Sequence, residues 1–385
     1  MLSSDSQEIR RSLLAKWHEN LSKYANLFSS NNVSGSSPPS VFVGSYNYPK
    51  VQVGPMVPPI HGDTSMLDNP EKWAGKSLEE IVNFRLSLIR GTQKLSIHET
   101  EGRYIENLQE VAMSSRPTDS DVEFYKTPST ISLDGESAPM GPVGEIKRVK
   151  FSNFSALRNI EKTFYDKDLK AKDAILQLYN SGVEISQIQK CFSIGMLGHK
   201  RKLVPTKWSI TATDDTISNS LVNEIVNYDL IDTYKIFSYD HLGNNFSIIL
   251  FPHRWIYEMI EAWYSNGILG FGSDSEDARG IQHPPSIAGA YFAAKLGVAE
   301  YLSEKKIQAG VLILREIRPE YAIPVGVWQV REGIRAGMKK PPLHADNFDE
   351  ALLLASKNMS VSKSEWFLHG KIGKMMKQKS ISDFF

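Results

Sequence analysis

The last eight residues of the chain carry side chains whose types and spacing suit an apolar docking pocket. A glutamine is followed by two free positions, an aliphatic residue, two more free positions and two aromatic residues: Gln378, Ile381, Phe384 and Phe385. A single tight turn places residues three apart on one side, so Ile381 and Phe384 form an apolar plug beside a hydrogen-bonding amide. This spacing is the pattern of peptides that bind DNA sliding clamps, and we predict that partner for this chain.

The strength of this contact follows from the apolar surface that it would bury. Burial of the three apolar side chains contributes roughly 1.5–3 kcal/mol each, and ordering the peptide takes several kcal/mol back. We therefore predict an affinity of about micromolar. In the alternative interpretation the tail folds back and its aromatic side chains cover the protein's own core.

Four carboxylates are candidates for a catalytic or metal-binding role. Asp214 and Asp215 follow the alternating run TKWSITAT, and with Asp63 or Glu316 they are suited to holding Mg²⁺. This ion needs one or two carboxylates together with phosphate oxygens. The alternative is structural, with Asp214 capping a helix that begins near Thr216.

Two groups of basic residues are candidates for contacts with DNA phosphates. One follows His199 and comprises Lys200, Arg201, Lys202 and Lys207; the other precedes the terminal peptide and comprises Lys371, Lys374 and Lys377. Such side chains position DNA without reading its sequence. A solvated surface loop is the alternative for the first group.

Composition narrows the class of protein. The chain has 385 residues, with 44 basic and 44 acidic side chains, so its bulk charge gives no attraction to nucleic acid. The single cysteine, Cys191, excludes an internal disulfide and a thiolate-rich zinc site. No signal segment or long apolar run is present, which predicts a cytoplasmic protein without membrane contact.

Strands and helices are interleaved without strict alternation, which predicts a mixed α/β fold with a central mixed sheet flanked by helices. An amphipathic N-terminal helix and its linker occupy 1–37, and we place domains at 38–270 and 271–355. A flexible basic arm, 356–385, ends in the clamp peptide.

Several local patterns give more detailed predictions. Ser77 and Glu80 indicate a capping box at a helix start. Tyr234–Asp240 and Asn245–Phe251 form a hairpin, and GVLILREI is a central strand. The runs TKWSITAT and YAIPVGVWQVRE are predicted as strands, and RWIYEMIEAW as a short helix. The charges of Arg315-Glu316 and Arg331-Glu332, both predicted on strands, are typical of a structural ion-pair network.

Long blocks of the sequence resemble the archaeal Nre family of DNA repair factors. The blocks are VFVGSYNYPKVQVGPMVPP, DTSMLDNPEKW, LVPTKWSITATDD, the Gly-Asn-Asn-Phe hairpin, EAWY, REIRPEYAIPVGVWQVRE and the terminal QKSISDFF. The resemblance implies binding to the clamp PCNA and a role in repair of DNA damage, hence nucleoid association. Many members begin with a cysteine-rich zinc-binding segment, which is replaced here by the predicted helix, so no zinc is expected.

Three functions remain open from the sequence. The first is a repair factor recruited to damaged or replicating DNA through its PCNA-interacting peptide. The second is a metal-dependent nuclease, phosphoesterase or nucleotide-processing enzyme that the clamp delivers. The third is a non-enzymatic adaptor for another repair protein.

Overall fold

The computed structural model describes residues 30–129, 138–265 and 268–377, together with isolated helical positions 8, 11, 12 and 15. The rest of the predicted N-terminal helix and the peptide Gln378–Phe385 lie outside the described residues. From residue 30 onward, the first compact unit contains 30–217 with 323–326, and the second contains 218–322 with 327–377. The predicted boundary at 270 falls inside a strand. The mixed α/β class is confirmed, with a six-stranded mixed sheet in each unit.

The sheet of the first unit has the order β1-β5-β6-β4-β3-β2. Its strands are β1 (Asn32–Ser37), β2 (Val41–Val43), β3 (Lys50–Val57), β4 (Ile89–Ser96), β5 (Thr118–Phe124) and β6 (Val143–Ser152). Only β4 and β6 pair in parallel; the other pairs are antiparallel. Strand β5 lies within the segment 114–144, which is rich in Ser, Pro, Asp and Gly.

Six helices accompany the first unit among the described residues. They are α1 (Leu78–Leu86), α2 (Arg103–Met113), α3 (Arg158–Tyr165), α4 (Ala171–Asn180), α5 (Ile185–Ser193) and α6 (Thr206–Ile225), and two 3₁₀ turns occupy Ser65–Asp68 and Pro70–Lys72. The predicted capping box at the start of α1 is confirmed, since Ser77 accepts from the Glu80 backbone and the Glu80 side chain bonds back. After Ile217, α6 continues into the second unit.

The second unit is built on a sheet of order β11-β10-β13-β9-β8-β14. Its strands are β8 (Tyr234–His241), β9 (Asn244–Phe251), β10 (Ile256–Ser265), β11 (Ile268–Asp277), β13 (Gly310–Ile317) and β14 (Leu343–Ala345), and the short β7 (Asp229–Leu230) and β12 (Ile307–Gln308) pair separately. The hairpin β8–β9 and the central position of β13 confirm two predictions. Strand β13 is parallel to β10 and antiparallel to β9.

Helices cover both faces of this sheet. They are α7 (Ala288–Lys305), α8 (Trp328–Met338), α9 (Phe348–Ser356), α10 (Lys363–His369) and α11 (Ile372–Lys377). Val311 and Ile313 of β13 pack into the core that contains α7 and α8. Leu312 and Leu314 point to the opposite core, with α9, α10 and α11. The alternation of side chains along a strand explains why β13 is apolar at nearly every position.

The prediction of a strand at TKWSITAT was wrong. These residues form the first turns of α6, whose buried positions Ser209, Thr213, Ile217 and Val222 recur at helical spacing. Two of these four buried residues, Ser209 and Thr213, carry hydroxyl groups, so the apolar periodicity of a helix is weak here. The alternating β-branched residues are then the stronger pattern in the sequence, and they favour a strand. Asp214 therefore lies within the helix and is not its N-cap.

Two further predictions of secondary structure were wrong. RWIYEMIEAW forms strand β10, and the end of YAIPVGVWQVRE forms helix α8. Glu258 and Glu261 of β10 are both buried, one on each face of the sheet. In the sequence, two acidic residues three positions apart are typical of the polar side of a helix, and this spacing favoured the wrong prediction. Arg331 and Glu332 consequently lie on a helix.

The lysine-rich segment before the terminal peptide is packed more firmly than its composition predicts. Trp366 of α10 and Ile372 of α11 are each 1% exposed and belong to the core on one face of the second sheet. The segment predicted as a flexible basic arm from residue 356 is therefore part of the folded unit as far as Lys377. In the part of the chain that the structure describes, no helix has the length and apolar character needed to cross a membrane.

Candidate functional site

A cleft of about 430 Å³ lies in the first unit, where the ends of several short elements meet. The two 3₁₀ turns, the segment 114–116, the first residues of α3 and α5 and the end of α4 form its wall. Gly182 has φ +81°, a conformation that favours glycine, and so turns the chain sharply from α4 into α5. The charged residues of the wall are Lys72, Arg116, Arg158 and Lys190, with Asp68 and Glu184.

Asp68 is a buried anion at the base of this cleft. Lys190 Nζ lies 3.1 Å from Asp68 Oδ2, Arg85 pairs with Oδ1, and the Ser40 hydroxyl donates to the same carboxylate. Burial raises the pKa of Asp68, but the cations Lys190 and Arg85 outweigh it and hold this pKa below its ordinary value. The ionised carboxylate therefore joins the first 3₁₀ turn to α1 and α5.

The start of α5 is already supplied with negative charge. Glu71 Oε1 accepts a hydrogen bond of 2.8 Å from the Ser186 backbone N–H, and Asn69 Nδ2 donates to Glu184 Oε2 at 2.8 Å. A carboxylate only accepts, so this contact fixes which end of the Asn69 amide points to Glu184. Asn69 is 9% exposed, and its Oδ1 has no hydrogen-bond partner among the residues described. A buried acceptor is thus left open at the cleft wall.

The start of α3 differs from the start of α5. Its N-cap residue, Leu157, makes no side-chain capping bond. Three cations of the cleft, Lys72, Arg116 and Arg158, are exposed. No ion pair involving them is seen in 30–129, 138–265 or 268–377. Positive charge and open backbone donors at a helix start are suited to an anion such as a phosphate group.

The basic group predicted to contact phosphates divides into two kinds of side chain. Lys200, Lys202 and Lys207 are exposed, on or next to the loop between α5 and α6. Arg201 instead packs its guanidinium 4.6 Å from the centre of the Phe164 ring and donates to the backbone oxygens of Phe164 and Gly198. Arg201 therefore holds this loop to α3.

Aromatic side chains are exposed close to this basic loop. Tyr48 and Trp208 lie with ring centres 5.2 Å apart, and Tyr46, Tyr48 and Trp208 are 83%, 50% and 44% exposed. Lys50 and Lys207, which are neighbours of these aromatics in the chain, are exposed as well. We call Tyr46, Tyr48, Lys50, Lys207 and Trp208 the Tyr48–Trp208 surface. Exposed aromatic rings beside lysines are suited to stacked bases and phosphates of a single strand.

The carboxylates predicted to bind Mg²⁺ have other contacts. Asp214 is fully buried and accepts 3.0 Å from Gln189 Nε2. Asp215 is half-buried at the next position of α6. Asp63 is exposed and accepts a hydrogen bond from the Ser65 backbone N–H. Hydrogen bonds from Ser65 lower the pKa of Asp63. Within the described ranges, no group of three or more His, Cys, Asp or Glu side chains is placed to hold a metal ion.

Glu316 in the second unit binds the backbone of the segment that connects α9 to α10. Its Oε1 accepts from the backbone N–H groups of Ser360 and Val361 at 2.8 and 2.9 Å. Glu258 plays a similar part, accepting at 2.7 Å from the N–H groups of Lys371 and Ile372 at the start of α11. Burial raises the pKa of Glu258, although these two N–H groups act against that shift.

The predicted C-terminal lysines are exposed on the second unit. Lys371 and Lys374 point to solvent, whereas Lys377 Nζ lies 3.5 Å from Asp349 and 4.4 Å from the centre of the Phe367 ring. Lys377 ends the described chain, and the residues of the predicted clamp peptide follow it directly in the sequence. Their position as site residues stays a prediction.

The second unit also contains a buried ion pair that the sequence patterns did not indicate. Lys295 Nζ lies 2.7 Å from Glu276 Oε1, and both side chains are 1% exposed. Lys295 also donates to Asn219 Oδ1 at 2.7 Å, and the Tyr291 hydroxyl donates to Glu276 Oε2 at 2.9 Å. Burial keeps the pKa of Tyr291 above its usual value, so this hydroxyl remains a donor. Lys295 on α7 and Glu276 on β11 are too far apart in the sequence for any periodic pattern to pair them.

The charged pairs singled out on β13 and α8 form ion pairs, as the structural interpretation predicts. Arg315 Nη1 lies 2.5 Å from Glu261 of the neighbouring strand β10, and its Nε donates to Asn244. Arg331 Nε lies 3.3 Å from Glu332 on α8. Both arginines are buried, at 7% and 1% exposure. The Arg315–Glu261 pair joins β13 to β10, whereas the Arg331–Glu332 pair lies within α8.

Comparison with known proteins connects almost the whole chain to one family. Residues 8–269 match the family described as "Archaeal Nre, N-terminal", and residues 276–384 match "Archaeal Nre, C-terminal". The chain is 38% identical over 360 residues to DNA repair protein NreB of Archaeoglobus fulgidus, which covers 91% of this chain and 92% of that protein. No solved structure matches the chain.

Two further relatives carry the name DNA repair protein NreA. The one from Archaeoglobus fulgidus is 37% identical over 359 residues, covering 91% of this chain and 89% of the relative. The one from Haloferax volcanii is 32% identical over 352 residues, covering 86% of this chain and 84% of the relative. Similarity of this extent leaves no large part of the described fold outside the shared region.

Proposed function

This chain belongs to the archaeal Nre family, and we propose that it is a DNA repair protein brought to DNA by a sliding clamp. Three relatives that match most of the chain are each named a DNA repair protein. The single observation that carries recruitment is the peptide Gln378–Phe385, in which all four positions of the clamp-binding pattern are filled.

The peptide would bind PCNA through its apolar plug. Ile381, Phe384 and Phe385 would enter a pocket, and Gln378 would satisfy polar groups beside it. Because the described part of the second unit extends to Lys377, the peptide would follow it in the sequence with no long linker between them. Lys371 and Lys374 would add attraction to an acidic clamp surface or to nearby DNA.

Substitution within the peptide tests recruitment directly. Phe384→Ala with Phe385→Ala removes two buried rings, so binding to purified archaeal PCNA should weaken by at least about a hundredfold. The control replaces two free positions of the pattern, Ser380→Ala with Ser382→Ala, and should bind as the original chain does. Surface plasmon resonance with immobilised clamp measures both variants. Equal binding by the Phe variant and the control would exclude this mode of recruitment.

At the DNA, we propose that the Tyr48–Trp208 surface contacts a single strand. Three aromatic side chains, Tyr46, Tyr48 and Trp208, are exposed there, with Lys50 and Lys207 close to them in the sequence of a chain with zero formal net charge. Stacking on an aromatic ring contributes about 1–3 kcal/mol per base and tolerates any sequence. Lys200 and Lys202, on the loop before α6, would extend the contact to phosphates.

Anisotropy of a fluorescent single-stranded oligonucleotide tests this surface. Trp208→Ala should weaken binding by about 5- to 150-fold, which corresponds to one lost stacking contact. Tyr125→Ala is the matched control, since Tyr125 is 61% exposed in the same unit but lies outside the surface. Lys207→Gln should lower the slope of log K against log salt by about one phosphate contact. Undiminished binding by Trp208→Ala would refute the assignment.

The other two functions differ in what they require of the body. A metal-dependent nuclease or phosphoesterase needs a metal site, and the described carboxylates Asp63, Asp214 and Asp215 do not form a group of three ligands. Mg²⁺ bound through one or two of them together with DNA phosphate is the remaining form of that alternative. An adaptor needs only a further repair protein as partner. Co-purification with a stable protein partner and no turnover of damaged DNA would favour the adaptor.

A further inference from the structure

We propose that the cleft between the starts of α3 and α5 binds the terminal phosphate of a nucleotide. The ligand chemistry is a phosphomonoester with a hydrogen-bond donor close to it. Either a free mononucleotide or the phosphorylated end of a DNA strand has that chemistry. The site is separate from the clamp peptide and from the Tyr48–Trp208 surface, and it does not depend on either proposal.

Positive charge and backbone donors define the place of the phosphate. Arg116 and Arg158 are exposed at the wall of the cleft, and Lys72 lies on the second 3₁₀ turn. Arg158 is also the first residue of α3, a helix of eight residues whose N-terminus has no side-chain cap. Phosphate oxygens are held well by a guanidinium fork together with N–H groups at a helix start.

The cations of the wall outnumber its two acidic residues, Asp68 and Glu184. Asp68 is neutralised by Lys190 and Arg85 beneath the cleft surface. Glu184 accepts from Asn69 and lies at the start of α5. Because the Asn69 amide is neutral, Glu184 keeps its negative charge. The three exposed cations Lys72, Arg116 and Arg158 outnumber it and give this cleft a positive character in a chain of zero formal net charge.

Asn69 supplies the independent observation that the ligand is more than an anion. Its amide nitrogen is committed to Glu184, so its Oδ1 is a buried acceptor that awaits a donor. A bare phosphate dianion has no proton to offer this oxygen. A sugar hydroxyl or a base amino group next to the phosphate does, and leaving a buried acceptor unpaired is costly. The combination favours a nucleotide over inorganic phosphate.

The size of the cleft is consistent with one nucleotide. Its volume of about 430 Å³ lies within the range of roughly 300–1,000 Å³ that is usual for small-molecule sites. A phosphomonoester carries up to two negative charges because its second pKa is near 6, whereas a phosphodiester within a strand carries one. A site with three cations therefore discriminates a strand end from the strand interior.

Titration of the full chain with defined ligands tests the proposal. Anisotropy is measured with oligonucleotides of one sequence that carry a 5′-phosphate, a 3′-phosphate or hydroxyl groups at both ends. A deoxynucleoside monophosphate and inorganic phosphate are then added separately as competitors. At least one phosphorylated end should bind about tenfold more tightly than hydroxyl ends, and the preference should shrink as the pH falls from 7.5 to 5.5.

Variants locate the binding within the molecule. Arg116→Gln and Arg158→Gln remove exposed charges, so the fold should persist, and each should reduce the preference for a phosphorylated end about tenfold or more. Arg103→Gln is the matched control, because Arg103 is exposed at the start of α2 but does not line the cleft. Circular dichroism of each variant verifies the fold.

The outcomes distinguish a free mononucleotide from a phosphorylated strand end and show which results would refute the site. Competition by the mononucleotide indicates that the free ligand suffices, and competition only by phosphorylated oligonucleotides indicates a strand end; both support the site. Equal binding of all three oligonucleotide forms without competition by the mononucleotide would overturn the proposal. So would an unchanged preference in Arg116→Gln and Arg158→Gln. Inorganic phosphate that competes as well as the mononucleotide would overturn the nucleotide assignment.

Discussion

Replacing Lys295 by methionine leaves the buried carboxylate of Glu276 without its cation. The two side chains are each 1% exposed, and their charged atoms lie 2.7 Å apart. In Lys295→Met, the hydrogen bond of 2.9 Å from the Tyr291 hydroxyl would still reach Glu276. One neutral donor does not offset the desolvation of a carboxylate, so the variant retains most of the cost of the charge without the attraction.

The expected magnitude follows from removal of one partner of a buried pair. Such changes reduce the free energy of unfolding by about 3–5 kcal/mol. For a unit of this size, each kcal/mol lowers Tm by roughly 2–4 °C, so we expect a decrease of about 6–20 °C. Glu276→Gln combined with Lys295→Met removes the stranded charge and keeps an acceptor for Tyr291. The double variant should therefore recover most of the loss.

Urea denaturation followed by circular dichroism measures these differences, with thermal melting as a second probe. The control is Lys305→Met on the same helix α7, because Lys305 is 51% exposed in its pair with Glu304 and should change stability little. A decrease of less than about 1 kcal/mol in the free energy of unfolding of Lys295→Met would contradict this assignment of the cost to charge. A double variant as unstable as the single one would also contradict it, since the cost would then come from packing and not from charge.

Three further outcomes are expected. Asp68→Asn should lower the free energy of unfolding by at least about 3 kcal/mol at neutral pH. Because the folded-state pKa of Asp68 is lowered, the difference in stability from the original chain should disappear in urea titrations as the pH falls from about 4 through that pKa. Gly54→Ala should destabilise strongly, since a Cβ there would lie 2.0 Å from the Gly91 backbone oxygen, whereas at Gly44 the nearest atom is 3.4 Å away and Gly44→Ala should melt close to the original chain. Burial lowers the pKa of His241, so the unfolded chain binds this proton at a higher pH than the folded protein does. Stability should therefore fall as the pH drops from about 7 through the folded-state pKa. His241→Gln should flatten that part of the stability–pH curve.

Elements whose signal is local could be predicted from the sequence. The capping box of Ser77 and Glu80 lies within one helical turn, and the β8–β9 hairpin joins two alternating runs through a short turn. The nearly continuous apolar run of β13 indicated a strand buried on both faces. In each case, residues close in sequence carry the whole pattern, and the fold only confirms it.

Two of the wrongly predicted elements, α6 and β10, show how the packing environment overrides the local pattern. In α6, buried Ser209 and Thr213 take positions where an apolar stripe is expected. In β10, Glu258 and Glu261 are accommodated inside the protein by backbone N–H groups and by Arg315. These partners come from distant parts of the chain, so no window of 10 to 18 residues contains the information.

The cleft illustrates the same limit for function. Arg116 and Arg158 are separated by two strands and a long connection, and neither belongs to a dense basic group in the sequence. What unites them is a meeting of element ends, created by the Asp68 ion pairs and by the turn at Gly182. The predicted basic group, in contrast, contains Arg201, whose charge is used within the fold. Density of charge in the sequence was therefore a poor guide to which cations are available.

Equal numbers of acidic and basic residues make it physically reasonable that this protein combines several weak contacts. Phosphate contacts made by a few lysines give non-specific affinities of about 10⁻⁴–10⁻⁶ M at physiological salt. A clamp peptide that binds at about micromolar affinity converts such a contact into an intramolecular one, at an effective concentration on the order of millimolar. The combined affinity can then exceed either contact by about 10²–10⁴ without any new interaction. On the proposed function, a strongly basic surface would be a disadvantage, because it would retain the protein on intact DNA away from the clamp.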